Sequence, residues 1–459
     1  MSSAPPAIAH EEGLAHQLTA GQMAMVGVGG SIGTGILLGS GAAMQIAGPA
    51  AILSFIAAAF ICFTVTMALG ELASAHPAAG SFGVYGELYL NAFAGFLARA
   101  GYWIGMALNL GAEMVAAATY MAYWFPGVQP YIWVLLFAAA LLLVNLTSVG
   151  SYGRFEFWLS IIKVAIIAGF IVIGAGLLIG GRVAPQYNAH GGFFPNGPLS
   201  PLIALTFALY SFGGVEMVAV STGEARSTKD TPRAIWLTFL ILVCVYLGAI
   251  IVLLGVIPWN HAGVSESPFV TVFRTVKIPH AAGLMNFVAL TAALSGANAS
   301  LYVASRMVFS LARTGWAPPA LGRLNHAGSP QAAVVISAFG VIIAAALALW
   351  FPENAFRYLV GAGFTGMICA WLISLAAHVN FRRRHSPAEL AALPLRSPLG
   401  NWGSPIGVVL VSLALLATWL HPRVNLYSGL ACIGAIAVAY LFIRRYREPP
   451  SVAIHISNS

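Results

Sequence analysis

The sequence predicts an all-α polytopic membrane protein of about 12 transmembrane helices: two inverted groups of five, with helices 1 and 6 broken, followed by a C-terminal pair. Three observations predict it. The 459 residues are 59% hydrophobic and only 7% charged, against about a quarter charged in a soluble domain. Apolar runs above the roughly 18 residues that mark a membrane span recur along the chain. Two of those runs, the first and the sixth, carry glycine clusters, so each opens a group of five. A membrane β-barrel would instead show short alternating segments.

Taken in order, residues 1–20 are polar, hold Glu11 and Glu12, and contain neither Lys nor Arg. They lack the basic n-region of a cleaved signal peptide, so a cytoplasmic tail and a retained first span are expected. A ten-helix inverted-repeat core is expected over 21–381. Its first repeat (21–181) holds spans at 21–43, 49–72, 93–125, 130–148 and 155–180; its second (200–381) holds spans at 200–222, 234–257, 281–312, 332–350 and 356–381. A cytoplasmic loop (382–404) opens on Arg382, Arg383 and Arg384. A two-helix hairpin (405–443) with spans at 405–420 and 425–443, then a cytoplasmic tail (444–459), complete the chain.

Charge orients these spans. With the N-terminus inside, 13 of the 21 Lys and Arg fall on the inner side, 5 outside, and Arg99, Lys163 and Arg306 within spans. The positive-inside rule therefore places both termini in the cytoplasm. Topology accounts for the net charge of +8, and no nucleic-acid partner is needed. Cys62, Cys244, Cys369 and Cys432 each stand alone in apolar runs, and the 11 histidines form no ligand motif. No metal site, cofactor or disulfide is expected. No clustered nucleophile, base or metal set marks an enzyme, and no polar face or charged ring marks a channel.

The segment GVGGSIGTGILLGSG (27–41) packs seven glycines into span 1, each costing about 1 kcal/mol relative to alanine in a helix interior. A phosphate loop fails, since no frame gives G-x-G-x-x-G or a Walker lysine and no strand precedes it. Close helix packing through Gly29/Gly33 and Gly35/Gly39 is the plainer alternative. A deliberately broken helix is favoured because span 6, LTFALYSFGGVEMVAVSTGEA, repeats the feature at Gly213-Gly214, just before Glu216. Glycine-interrupted helices at matching positions of two inverted halves point to a transporter's binding site. One half-helix offers free N–H groups and a positive dipole end to a carboxylate. The other offers unpaired carbonyls to an ammonium, so a zwitterion, an amino acid, suits the pair.

The segments VGVGGSIGTGILLGSG, SFGGVEMVAVSTGEA, ALTAALSGANASLYVASRMVFSLARTGWAPPALGRLN and FEFWLSIIKVAIIAGFIVIG closely resemble the bacterial amino acid permeases of the amino acid–polyamine–organocation superfamily. The resemblance runs from about Leu18 to Arg384. It implies the five-plus-five fold with two extra spans, and proton-driven amino acid uptake across the cytoplasmic membrane. By motif position it implies that Ser31, Ile32, Gly33, Thr34 and Gly35 form the unwound part of span 1. There the N–H groups around Thr34 and Gly35 take the carboxylate, and the Ser31 carbonyl helps hold the amine. It further implies that Tyr210, Gly213 and Gly214 line the opposite side, with Tyr210 or Phe212 as an aromatic lid. The basic Arg-His pair that relatives carry before span 1 is replaced here by HQLTAGQM.

Charges within spans complete the reading. Lys163 lies about 12 Å deep in span 5, where a buried ammonium is costly and readily loses its proton. The resemblance places it where sodium-coupled relatives bind their cation, so proton coupling is expected, a purely structural lysine being the alternative. Glu113, among small residues of span 3, is expected to face the bundle interior, as a proton carrier, a partner for a cationic substrate group, or a structural carboxyl. Glu216 is assigned to the pocket side of the span 6 break. Glu224 and Arg226 read as a helix-end and gate pair, and Arg306 as structural. The expected function is proton-symport import of neutral or aromatic amino acids. The alternatives are a cationic amino acid permease or an exchanger without proton coupling. Partners are the substrate, protons and the lipid bilayer; the oligomeric state is left open, a monomer being compatible with the sequence.

Overall fold

The computed structural model describes residues 19–76, 81–147, 152–221, 227, 230–276, 280–325, 329–420 and 423–446. Most of the expected terminal tails and the Glu224–Arg226 pair lie outside the described residues. Within them the chain is helical throughout, and twelve elements of membrane length follow one another. Nine stretches qualify as spans on length and apolarity alone. The first of these, Ala20–Ala75, is two spans divided by a turn at Gly48–Ala50, and Ala92–Ala122 and Pro130–Thr147 supply the remainder.

Span 1 consists of α1 (Ala20–Ser31), a π-helical turn (Gly35–Gly39) and α2 (Ser40–Ala47). It starts at a capping box: the Thr19 hydroxyl accepts from the Gln22 N–H, and the Gln22 side chain accepts from the Thr19 N–H, satisfying two donors that a helix start leaves free. Spans 2–5 are α3 (Ala51–Ala75), α5 (Ala92–Ala122), α6 (Pro130–Thr147) and α7 (Tyr152–Ile179), with a short α4 (Ser81–Tyr89) after span 2. Span 6 is α8 (Ser200–Phe212) and α9 (Met217–Ser221). Spans 7 and 8 are α10 (Asp230–Val256) and α12 (Ala281–Arg313), with α11 (Pro268–Thr275) between them. Span 9 is split into α13 (Gln331–Ser337) and α14 (Phe339–Trp350), and span 10 is α15 (Ala355–Arg384). A short α16 (Pro387–Ala392) leads to spans 11 and 12, α17 (Gly403–Leu420) and α18 (Arg423–Tyr446). The short helices α4, α11 and α16 are too brief to give a periodic signal in the sequence.

Span 3 is the spine of the bundle, packed along spans 8 and 10. Its Gly105 faces Gly363 of span 10 so closely that a methyl group there would sit 3.0 Å from the Gly363 carbonyl oxygen. Lipid tails are as apolar as leucine, so such close small-residue packing drives helix association in a membrane. Leu143, Val172, Ile179, Leu441 and Phe442 are exposed on spans 4, 5 and 12, forming the lipid-facing surface. Spans 1, 6 and 10 are largely buried. The broken helices therefore lie at the centre.

Candidate binding site at the broken helices

Span 1 loses its helix after Ser31: Ile32 turns to φ −79°, ψ 85°, and helical geometry resumes only at Thr34. Span 6 breaks after Phe212, where Gly213 adopts φ −55°, ψ 135° and Gly214 adopts φ +101°. That left-handed value suits glycine, and a Cβ on Gly214 would also meet the Gly30 carbonyl at 2.7 Å. The two breaks touch through backbone: a Cβ on Gly35 would lie 2.6 Å from the Cα of Ser211.

A broken helix in hydrocarbon must find partners for its freed backbone groups, each costing several kcal/mol if left unmet. In span 1 they come from spans 3, 5 and 7 and from the residue that caps α11. The Tyr246 hydroxyl of span 7 donates to the Ser31 carbonyl at 2.7 Å. Ser267, just before α11, donates to the Leu37 carbonyl at 2.6 Å. Lys163 of span 5 is buried, and its Nζ donates to the Gly29 carbonyl at 3.0 Å and to Ser295 Oγ of span 8 at 2.8 Å. The Thr34 N–H donates to both carboxylate oxygens of Glu113 of span 3, each at 3.3 Å. A cation thus meets the carbonyl end of α1, and a carboxylate meets the N–H end of the following half-helix, as the helix dipoles favour.

Span 6 has the same device. Buried Glu216 accepts from the Gly214 N–H at 3.1 Å and from the Tyr102 hydroxyl of span 3 at 2.6 Å. Across the two breaks runs a polar chain. Tyr210 lies 3.5 Å from Thr34 Oγ1 and donates to Asn109 Oδ1 at 2.5 Å, and Asn109 donates to Ser300 Oγ at 2.7 Å.

The breaks enclose a cavity of about 30 Å³ lined by Gly30, Ser31, Gly35, Asn109, Glu113, Tyr210, Gly213 and Gly214, with an apolar side of Met106, Met217, Leu359, Phe364 and Met367. Ser31, Gly35, Glu113, Tyr210, Gly213 and Gly214 of the sequence-predicted set are therefore brought together. Ile32, Gly33, Thr34, Glu216 and Lys163 stand one layer behind, and the Ser31 carbonyl expected for an amine already takes the Tyr246 hydroxyl.

Phe212 is not brought to this cavity: it is fully buried against Tyr246, ring centroids 4.8 Å apart. Two residues on from Tyr210, it points about 200° around the helix and away from Tyr210's side. Asn109 was missed by sequence reasoning, although it lies four residues before Glu113 and so on the same helix face. Tyr102, Tyr246 and Ser295 gave no such signal, because each is an ordinary residue in its own span.

The Amino acid permease family model matches residues 22–446, nearly the whole described chain. The chain belongs to the amino acid permease family. It is a multi-pass membrane transporter, and no reaction of an enzyme is to be sought in the cavity. The permease is 35% identical over 404 residues to the uncharacterised amino acid permease YtnA of Bacillus subtilis (strain 168), covering 86% of each chain. It is 32% identical over 443 residues to the aromatic amino acid transport protein AroP of Escherichia coli (strain K12), covering 94% of this chain and 96% of AroP. Over 440 residues it is 34% identical to the amino-acid permease RocE of Bacillus subtilis (strain 168), covering 92% and 94%.

Proposed function

We propose that this permease imports neutral amino acids, bulky and aromatic ones included, across a bacterial cytoplasmic membrane by proton symport, with both termini in the cytoplasm. The observation that carries the reading is the Glu113 carboxylate on the Thr34 N–H. This freed N–H is a carboxylate receptor already holding a carboxylate. A substrate reaching it competes with Glu113, and a proton on Glu113 removes the competitor. Lys163, on the carbonyl end of the same break, is the second proposed coupling group: losing its proton weakens its hold on α1 and frees span 1 to move against span 5.

The apolar wall of Met106, Met217, Leu359, Phe364 and Met367 supports an uncharged side chain, as does the 32% identity to an aromatic amino acid transport protein. Among the described residues Glu113 is the one acid on the cavity lining, and it is occupied by the backbone, which weighs against the cationic alternative. A cavity of about 30 Å³ has room for little more than a water or two, so substrate entry requires the broken helices to separate. The test is competition by each of the twenty amino acids against one labelled substrate in proteoliposomes. Neutral apolar amino acids should compete and their decarboxylated amines should not. Equal competition by an amine removes the carboxylate site; competition by lysine and arginine alone restores the cationic alternative.

A further inference from the structure

A second cavity lies far from the broken helices, at the turn between spans 10 and 11. It encloses about 250 Å³ and is lined by Arg382, His385, Leu390, Arg396 and Asn401, together with Pro387 and Ala391. Among the described residues, no carboxylate lines it. Glu71 of span 2 sits behind it, fully buried. Glu71 accepts from Arg382 Nη1 at 2.6 and 2.8 Å and from the Ser397 N–H at 2.8 Å, and His378 Nε2 stands 3.3 Å away. Glu389 folds back on Ser386, accepting from its N–H and hydroxyl.

The donors facing the cavity are set in place by these contacts. Arg382 is fixed through Nη1 on Glu71 and through Nε on Asn401 at 2.8 Å, which leaves Nη2 for a ligand. His385 Nδ1 donates to the Phe381 carbonyl at 2.8 Å, which uses the single N–H of the neutral ring, so His385 forms part of the wall and adds no donor. Arg396 is exposed, and its guanidinium has no hydrogen-bond partner among the described residues. Trp402, next in sequence to the lining residue Asn401, is 74% exposed, where an interfacial anchor at the membrane surface belongs.

We propose that this cavity is a binding site for a phosphate group, held by Arg382 and Arg396 and supplied either by a lipid headgroup or by free phosphate. Guanidinium forks match phosphate oxygens, and basic pockets between spans suit anionic headgroups. Through Arg382 the bound phosphate reaches Glu71, and so ties the turn after span 10 to the end of span 2.

The test uses the full chain and does not depend on transport. Purified protein is titrated with inorganic phosphate by calorimetry. In parallel it is reconstituted in phosphatidylcholine vesicles with or without phosphatidylglycerol, and retained lipid is counted by native mass spectrometry. Arg396→Gln, which disturbs no internal contact, should weaken binding at least tenfold. Arg383→Gln, which removes the same charge outside the cavity, should leave it unchanged. Saturation by inorganic phosphate identifies free phosphate as the source. Retained phosphatidylglycerol with no response to inorganic phosphate identifies the lipid. Either result supports the site if Arg396→Gln weakens it at least tenfold and Arg383→Gln does not. No binding in either arm, or equal losses in Arg396→Gln and Arg383→Gln, overturns it.

Discussion

Replacing Glu113 by Gln isolates the contact on which the proposed coupling rests. In the structure both Glu113 oxygens accept from the Thr34 N–H at 3.3 Å. A hydrogen bond to a charged acceptor contributes about 1.5–3 kcal/mol, and one to a neutral acceptor about 1 kcal/mol. The isosteric amide therefore holds the N–H more weakly by about 1 kcal/mol or somewhat more, and a substrate carboxylate displaces it with roughly five- to tenfold higher affinity. The pH dependence follows with a definite sign. Protonated Glu113 competes less, so wild-type affinity rises as pH falls, by up to about tenfold per pH unit when one proton is taken up with each substrate. Glu113→Gln should be flat over the same range. Equilibrium binding of labelled phenylalanine to detergent-purified protein across pH 5–8 measures both effects. Weaker binding by Glu113→Gln, or an unchanged pH slope, would refute the competition and favour a direct contact between Glu113 and the substrate's amine.

Four further substitutions probe the rest of the site. Lys163→Met removes the donor to Gly29 and Ser295; substrate binding should persist while gradient-driven accumulation is lost, measured by labelled uptake with and without an inward proton gradient. Gly35→Val and Gly213→Val should abolish binding in protein that still inserts, because a side chain at Gly35 collides with span 6 backbone 2.6 Å away and one at Gly213 meets Met367 at 3.0 Å; retained binding by either would place the site elsewhere. Tyr210→Phe strands Asn109 Oδ1 and should cost about 1–3 kcal/mol of stability, read as a lower thermal midpoint, while aromatic substrates keep their affinity because the ring remains.

The fold was largely legible because each signal is local. Continuous apolar runs mark spans whatever surrounds them, and Gly213-Gly214 in span 6 announced the break that a φ of +101° at Gly214 makes concrete. What could not be read were the partners of the broken backbone. That Thr34 meets a residue 79 positions away, and Ser31 one 215 positions away, is set by how spans 3 and 7 rotate against span 1. A span apolar all round carries little periodicity to fix that rotation. Lys163 and Glu113 were legible because an isolated charge in hydrocarbon needs a partner, although not which one. Motif position left Tyr210 and Phe212 as alternatives for an aromatic lid, and helical geometry separates them: only Tyr210 lines the cavity. The cavity at the turn after span 10 was invisible, since Arg396 reads in sequence as one more inner-side cation.

The most direct measurement of the central claim is accumulation of labelled phenylalanine in sodium-free proteoliposomes of the wild-type protein under an inward proton gradient. We expect accumulation above the equilibrium level, abolished by a protonophore and unchanged by added sodium. Uptake that stops at equilibrium, or that needs internal amino acid for exchange, would contradict proton symport.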